Sequence, residues 1–112
     1  MIFISYSWED RATTEIVEAA LKRMGMAYWI DRKYLNLSNR LRPQISRAIR
    51  QSHQVLCIGS KASQLSPWVR YELKVASRSG KKVLELDANH ECLRPNNTLQ
   101  ADKLLASLLG YR

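Results

Sequence analysis

Met1-Ile2-Phe3-Ile4-Ser5 is a short apolar run that ends in a serine. A run of this length is typical of a strand that is buried on both faces. Three further runs of the same kind follow, at residues 27–30, 54–58 and 83–86. Because segments with helical periodicity separate these runs, the alternation predicts an α/β fold, with a parallel sheet that is covered by helices on both faces.

The segments between the strands have apolar residues at helical spacing. They predict four helices, over residues 11–24, around 41–49 with Pro43 in the first turn, over 67–79, and from Thr98, acting as the cap, to near the end of the chain. Gly25 and Gly80 end the first and third of these helices. We expect a polar loop over residues 31–39 and irregular structure over residues 88–97. The four strands and four helices account for most of the chain.

Length and composition limit the classes of protein to consider. The 112 residues, of which 46% are hydrophobic and 25% charged, suit one globular domain. No apolar run approaches the roughly 20 residues of a membrane helix, so we expect no membrane partner. The two cysteines do not form a disulfide framework, which favours a cytoplasmic protein. The histidines lack a metal-ligand spacing, so no metal site is predicted.

The basic charge of the chain is concentrated around one carboxylate. Between Arg32 and Lys82 there are twelve lysines or arginines and a single acidic residue, Glu72. The net charge of +8 alone would suit a nucleic acid, but no zinc spacing, RNA-binding strand motif or glycine clamp supports that partner. Arg70, Lys74 and Arg78 share one helical stripe, which is more typical of a solvated face than of a phosphate-binding strip. Nucleic acid is therefore an unfavoured partner.

The segment around this carboxylate has the pattern of a helix start. In Ser66-Pro67-Trp68-Val69-Arg70-Tyr71-Glu72-Leu73, serine can cap free backbone N–H groups and proline suits the first helical position. Trp68 and Glu72 are four residues apart and so share one face. An aromatic ring beside a carboxylate, in basic surroundings, suits a ligand with a flat cationic ring and an anionic tail. Nicotinamide adenine dinucleotide (NAD+) is such a ligand.

Polar residues follow the predicted strands at the edge where such sheets bind ligands, beyond the carboxyl ends of the strands. The first strand leads into Ser5-Tyr6-Ser7-Trp8, the second into Asp31-Arg32 and the third into Gly59-Ser60. The helix that carries Trp68 and Glu72 begins near this edge. Strand pattern and helix motif therefore predict a single site.

Together these segments resemble the Toll/interleukin-1 receptor (TIR) domain family, most closely its bacterial NAD-cleaving branch. Four segments match in order: Phe3-Ile4-Ser5-Tyr6-Ser7-Trp8-Glu9-Asp10, residues 29–35, residues 45–60 in part, and residues 66–73 with the Trp-x-x-x-Glu spacing. The resemblance implies a flavodoxin-like three-layer fold, with a central parallel sheet of four to five strands. It also implies that residues 1–112 form a single TIR domain, which could belong to a larger protein with a fused sensor domain.

The resemblance further implies an enzyme that cleaves the nicotinamide–ribose bond of NAD+, as a glycohydrolase or an ADP-ribosyl cyclase. Glu72 would be the catalytic residue, and Trp68 would border the nicotinamide. The implied substrate contacts are Ser5, Tyr6, Ser7, Trp8, Asp31 and Arg32. NAD+ is then the substrate, and no cofactor is expected. Activation by assembly with other TIR domains and a role as a bacterial antiphage effector are implied as well.

Other interpretations remain open. A non-catalytic TIR adaptor that signals by self-association would need neither Glu72 nor NAD+. For Trp8, lining a pocket and serving as a surface for self-association are about equally supported, and Asp31 could simply form a turn. A phospho-receiver of similar topology is disfavoured because Gly59-Ser60 occupies the place of its aspartate. A nucleoside deoxyribosyltransferase-like enzyme, which also uses a glutamate, would be distinguished by its substrates.

Overall fold

The computed structural model describes residues 1–30 and 42–110. Within them the four strands are β1 (Ile2–Ser5), β2 (Tyr28–Ile30), β3 (Gln54–Gly59) and β4 (Lys82–Asp87). The helices are α1 (Arg11–Arg23), α2 (Arg42–Gln51), α3 (Lys61–Leu65), α4 (Pro67–Arg78) and α5 (Thr98–Leu109), and a short 3-10 turn covers Trp8–Asp10. No described helix has both the length and the apolar character needed to cross a bilayer.

The four strands form one fully parallel sheet in the order β2-β1-β3-β4. The chain moves from β1 outward to β2, then returns to β3 on the other side of β1. This reversal makes the β1–β3 boundary the topological switch point of the sheet. The strand register aligns Ser5 with Cys57 and Cys57 with Glu85, so these three side chains project from the same face.

The sheet is the middle of three layers. On one face of the sheet α1 packs against α5, and on the other face α2 packs against α4. Crossovers between parallel strands are right-handed, so the connection from β1 to β2 runs over one face and the connections that lead to β3 and β4 run over the other. The core is formed by apolar side chains of β1 and β3 with those of the surrounding helices. Among the fully buried ones are Phe3, Ile4, Leu21, Ile49, Leu56 and Leu105. The predicted α/β, flavodoxin-like three-layer architecture is thus confirmed.

Several predicted boundaries differ slightly from the structure. The third and fourth strands are longer than predicted, and the N-cap of α5 is Asn97, so Thr98 is the first helical residue rather than the cap. The short helix α3 was not predicted, because five residues are too few to show a helical period. A capping box between Ser60 and Ser63 stabilises its start. The loop predicted over residues 31–39 lies outside the described residues.

Candidate active site

The candidate site lies at the switch point, where the carboxyl ends of β1 and β3 are adjacent. Helix α4 passes over this end of the sheet and contacts both β1 and β4. Its start follows the predicted chemistry: the Ser66 hydroxyl accepts a hydrogen bond from the backbone N–H of Val69 at 3.3 Å, and Pro67 is the first helical residue. Because α4 begins at Pro67 and contacts β1, its first turns lie beside the ends of the central strands.

Glu72 lies on the inner face of α4 and is completely buried. The Ser5 hydroxyl, also completely buried at the end of β1, donates a hydrogen bond to Glu72 Oε1 at 2.7 Å. Removing a carboxylate from water costs several kcal/mol unless hydrogen bonds or charges compensate. Replacing such a group by an apolar side chain of similar volume is often neutral for stability, so Glu72 is a candidate for a functional role as well as for a structural one.

Cys57 lies beside this pair on β3. The pKa of the Cys57 thiol is raised to about 11. Burial is the largest cause, and the negative charges of Glu85, Glu72 and Asp10 raise the pKa further. At neutral pH the thiol is therefore protonated, and it is a poor nucleophile. Cys57 is therefore a packing residue of the sheet and not a candidate nucleophile.

The loop after β1 is fastened to the loop after β3. The backbone N–H of Asp10 donates to the carbonyl of Ser7 at 2.8 Å, which closes the turn, and the Ser60 hydroxyl donates to the Asp10 carboxylate. Tyr6 and Ser7 are buried, whereas Trp8 is half-buried. The Arg11 guanidinium lies 4.8 Å from the centre of the Trp8 ring. These contacts hold Trp8 at the edge of the candidate site.

A pocket of about 300 Å³ separates the loop after β1 from the start of α4. Its walls include Ser7, Trp8, Ser66, Pro67 and Trp68, and we call it the Trp8–Trp68 pocket. Its volume is at the lower end of the range for small-molecule sites. Two indole rings and two hydroxyl groups suit a flat heteroaromatic ring that carries polar substituents.

The indole of Trp68 is mostly buried, with 8% of its surface exposed. Tyr71 meets it edge to face at a centroid distance of 5.9 Å, and the Arg42 guanidinium lies 5.1 Å from the Tyr71 ring and 5.9 Å from the Trp68 ring. The Tyr71 hydroxyl lies 2.6 Å from the Ser46 hydroxyl on α2. Trp68 therefore joins α4 to α2 and, with the remainder of its surface, forms a wall of the pocket.

The structure brings most of the predicted site residues together. Ser7, Trp8 and Trp68 line one pocket, and Ser5 contacts Glu72 directly. Tyr6 lines a different, smaller cavity of about 100 Å³ on the α1 side, which Trp8 also borders. Glu72 does not line the Trp8–Trp68 pocket. The predicted residues Asp31 and Arg32 lie outside the described residues, so their contacts with substrate stay predictions.

Three residues near the site were not predicted from the sequence. Cys57 would have been found by aligning the strand ends, because it is the direct neighbour of Ser5 in the sheet. Arg42 and Tyr71 depend on how α2 packs against α4, for which the sequence gives no signal. The exposed stripe of Arg70, Lys74 and Arg78 is in accord with a solvated face.

Within residues 1–30 and 42–110 no cluster of three or more histidine, cysteine or acidic side chains could hold a metal ion. The described site thus consists of a buried carboxylate, a buried serine and an aromatic pocket at the switch point of a parallel sheet. These features define a doubly wound α/β domain with a candidate ligand site at the carboxyl ends of its strands.

Comparison with known families identifies this domain more narrowly. The model of the TIR domain family matches residues 2–107, which is nearly the whole chain. The chain therefore belongs to the TIR domain family, as its sequence segments predicted. Among curated proteins, none matches this chain.

Proposed function

We propose that this TIR domain cleaves the nicotinamide–ribose bond of NAD+, as a glycohydrolase or ADP-ribosyl cyclase. The observation that carries the proposal is the completely buried Glu72 on a helix whose first turn forms a wall of the Trp8–Trp68 pocket. The proposal extends to activation by assembly with other TIR domains and to a role as a bacterial antiphage effector in the cytoplasm. These parts rest on the family resemblance.

The chemistry asks little of the protein beyond electrostatics and positioning. Nicotinamide in NAD+ is a cationic leaving group, so the bond to ribose breaks without a general acid. The ribose then develops oxocarbenium character, as in glycoside hydrolysis. A carboxylate held near the anomeric carbon stabilises that positive charge. One glutamate can thus be enough where most glycosidases use two carboxyl groups.

In this proposal the Trp8–Trp68 pocket receives the nicotinamide ring, and Ser5 holds the carboxylate of Glu72 in place. The pocket would accommodate the nicotinamide end of the dinucleotide, while the phosphates and adenosine extend outward. Asp31 and Arg32 remain proposed contacts for those parts. Because Glu72 is shielded in this arrangement, catalysis requires a rearrangement that exposes its carboxylate to the pocket.

The test is nicotinamide release from NAD+ by the purified chain, assayed over a range of protein concentrations. Glu72→Gln keeps the size of the side chain and an oxygen for the Ser5 hydrogen bond but removes the charge. We expect it to abolish nicotinamide release without unfolding the protein. Glu91→Gln, at an exposed glutamate outside the site, is the matched control and should retain activity. Equal release by wild type and Glu72→Gln would refute catalysis by Glu72.

A second function is favoured by one observation. A glutamate with no exposed surface, hydrogen-bonded to a buried serine, suits a structural role as well as a catalytic one. In that case the domain would be a non-catalytic adaptor that signals by TIR–TIR self-association. The same assay separates the two functions: an adaptor releases no nicotinamide at protein concentrations where it is demonstrably self-associated.

A further inference from the structure

Strand β4 leaves one edge of the sheet open. It is the last strand in the order β2-β1-β3-β4, and no described strand pairs with its outer side. The exposed residues of this strand are Lys82, Val83, Glu85 and Asp87, and Val83 exposes 41% of its surface. An open edge presents backbone groups that can pair with another strand.

The direction of the backbone groups on β4 follows from one hydrogen bond. The N–H of Ala88, just after the strand, donates to the Gly59 carbonyl of β3 at 2.9 Å. Backbone groups of successive residues point to alternate sides of a strand. The N–H and C=O groups of Val83, Glu85 and Asp87 therefore point outward, away from β3. Those of Val83 and Glu85 are available for a further strand along the open edge, whereas the Asp87 carbonyl already accepts a hydrogen bond from the His90 N–H at 3.0 Å.

We propose that the open edge of β4 pairs antiparallel with β4 of a second copy of this chain, in the register that places Leu84 opposite Leu84. The two four-stranded sheets would join into one continuous sheet around a two-fold axis that is perpendicular to it. The proposal does not depend on NAD+ cleavage, because it concerns a surface and its partner.

The charges on the strand select this register. Leu84 opposite Leu84 overlaps the two strands over Lys82–Leu86, and the outward groups of Val83 pair with those of Glu85 in the other copy. Just outside this overlap, Lys81, whose N–H is bonded to the Ala76 carbonyl of α4, comes level with Asp87 twice per dimer, so opposite charges lie close together at both ends of the interface. The half-buried Leu84 gains an apolar neighbour at the centre.

The two neighbouring registers are less favourable. Centring the pair on Glu85 places two glutamates directly opposite each other, and like charges in that position are destabilising. Centring it on Val83 reduces the overlap of the strands to Lys82–Leu84, which halves the backbone pairing. The register centred on Leu84 alone combines a long overlap with complementary charge.

The test measures the dimer dissociation constant by sedimentation equilibrium at an ionic strength near 0.15 M, where repulsion between basic copies is screened. We expect Lys81→Glu to weaken the dimer roughly tenfold or more, because two attractive pairs become repulsive. Lys82→Glu changes the net charge equally but faces Leu86, so it is the matched control and should weaken the dimer less.

Restoration identifies the register. Adding Asp87→Lys to Lys81→Glu recreates both charge pairs with reversed sign and should restore the dimer, whereas adding Glu85→Lys should not. Asp87 also accepts a hydrogen bond from the Asn89 N–H at 2.9 Å, so circular dichroism must show that each variant is folded. A chain that is monomeric at every concentration, or equal effects of Lys81→Glu and Lys82→Glu, would overturn the proposal. If the dimer of the Lys81→Glu variant is restored by Glu85→Lys but not by Asp87→Lys, the proposed register is wrong.

Discussion

The hydrogen bond between Ser5 and Glu72 gives the most direct test of how the site is built. Ser5→Ala removes the hydroxyl that donates to Glu72 Oε1 at 2.7 Å, and neither residue has any exposed surface. A hydrogen bond to a charged group contributes about 1.5–3 kcal/mol, whereas one between neutral groups contributes about 0.5–1.5 kcal/mol. We expect Ser5→Ala to lower the free energy of unfolding by about 2 kcal/mol. For a domain of this size that corresponds to a fall in Tm of roughly 8 °C.

A double-mutant cycle isolates the part that comes from the charge. In a Glu72→Gln background the acceptor is neutral, so Ser5→Ala should cost only about 1 kcal/mol. The difference between the two costs, about 1 kcal/mol, is the coupling between the hydroxyl and the charge of the carboxylate. Urea unfolding followed by circular dichroism, with the linear extrapolation to water, measures all four corners of the cycle.

Ser52→Ala provides the matched control. Ser52 is also buried, and its hydroxyl donates at 2.7 Å to a neutral acceptor, the carbonyl of Ala48. Its removal should cost about 0.5–1.5 kcal/mol in both backgrounds, because it does not contact the carboxylate. If Ser5→Ala costs the same in the wild-type and Glu72→Gln backgrounds, a charged Glu72 held by Ser5 is the wrong description of the site.

Three further outcomes are expected. Folding raises the pKa of the Cys57 thiol to about 11, so with rising pH the thiol loses its proton in the unfolded chain before it does so in the folded chain. The free energy of unfolding should therefore fall between about pH 9 and pH 11. In urea titrations at these pH values, Cys57→Ala should make this fall smaller. Gly59→Ala would bring a new Cβ into steric conflict with the Glu85 carboxylate, so it should lower Tm slightly. Adding Glu85→Ala to Gly59→Ala should remove this loss in Tm. If the loss persists in the double variant, the conflict is not with Glu85. The pair Ser5→Ala with Glu72→Leu should unfold at the same or a higher urea concentration than wild type, because it replaces a buried polar pair with apolar groups. A clearly lower urea midpoint than that of wild type would contradict this expectation.

The sequence predicted the features that depend on local pattern. Apolar runs and helical spacing located the strands and helices, and Ser66-Pro67 located the start of α4. The four-residue spacing placed Trp68 and Glu72 on one face, and both lie on the buried face of that helix. The rule that ligands bind at the carboxyl ends of parallel strands brought Ser5 and Glu72 into the same predicted site.

Features that depend on pairing and packing could not be predicted. The alignment of Ser5, Cys57 and Glu85 requires the strand register, and a shift by one residue would turn each side chain to the other face. The contact of Arg42 with Trp68 and Tyr71 requires the position of α2 relative to α4. The complete burial of Glu72 is also a result of packing, since the strand pattern and the helix motif predicted only that its helix begins near the ligand-binding edge of the sheet.

That burial makes stability and activity informative together. A carboxylate that serves only the fold, and that groups besides Ser5 compensate, should be costly to replace, because those groups are then left without their partner. A carboxylate kept for chemistry should be replaceable by an apolar residue with little loss of stability but complete loss of nicotinamide release, because stability and activity often oppose each other at a functional site. The variant Ser5→Ala with Glu72→Leu distinguishes these cases in one protein. A stable and inactive variant of an active wild type supports the enzyme, whereas an unstable variant of an inactive wild type supports the adaptor.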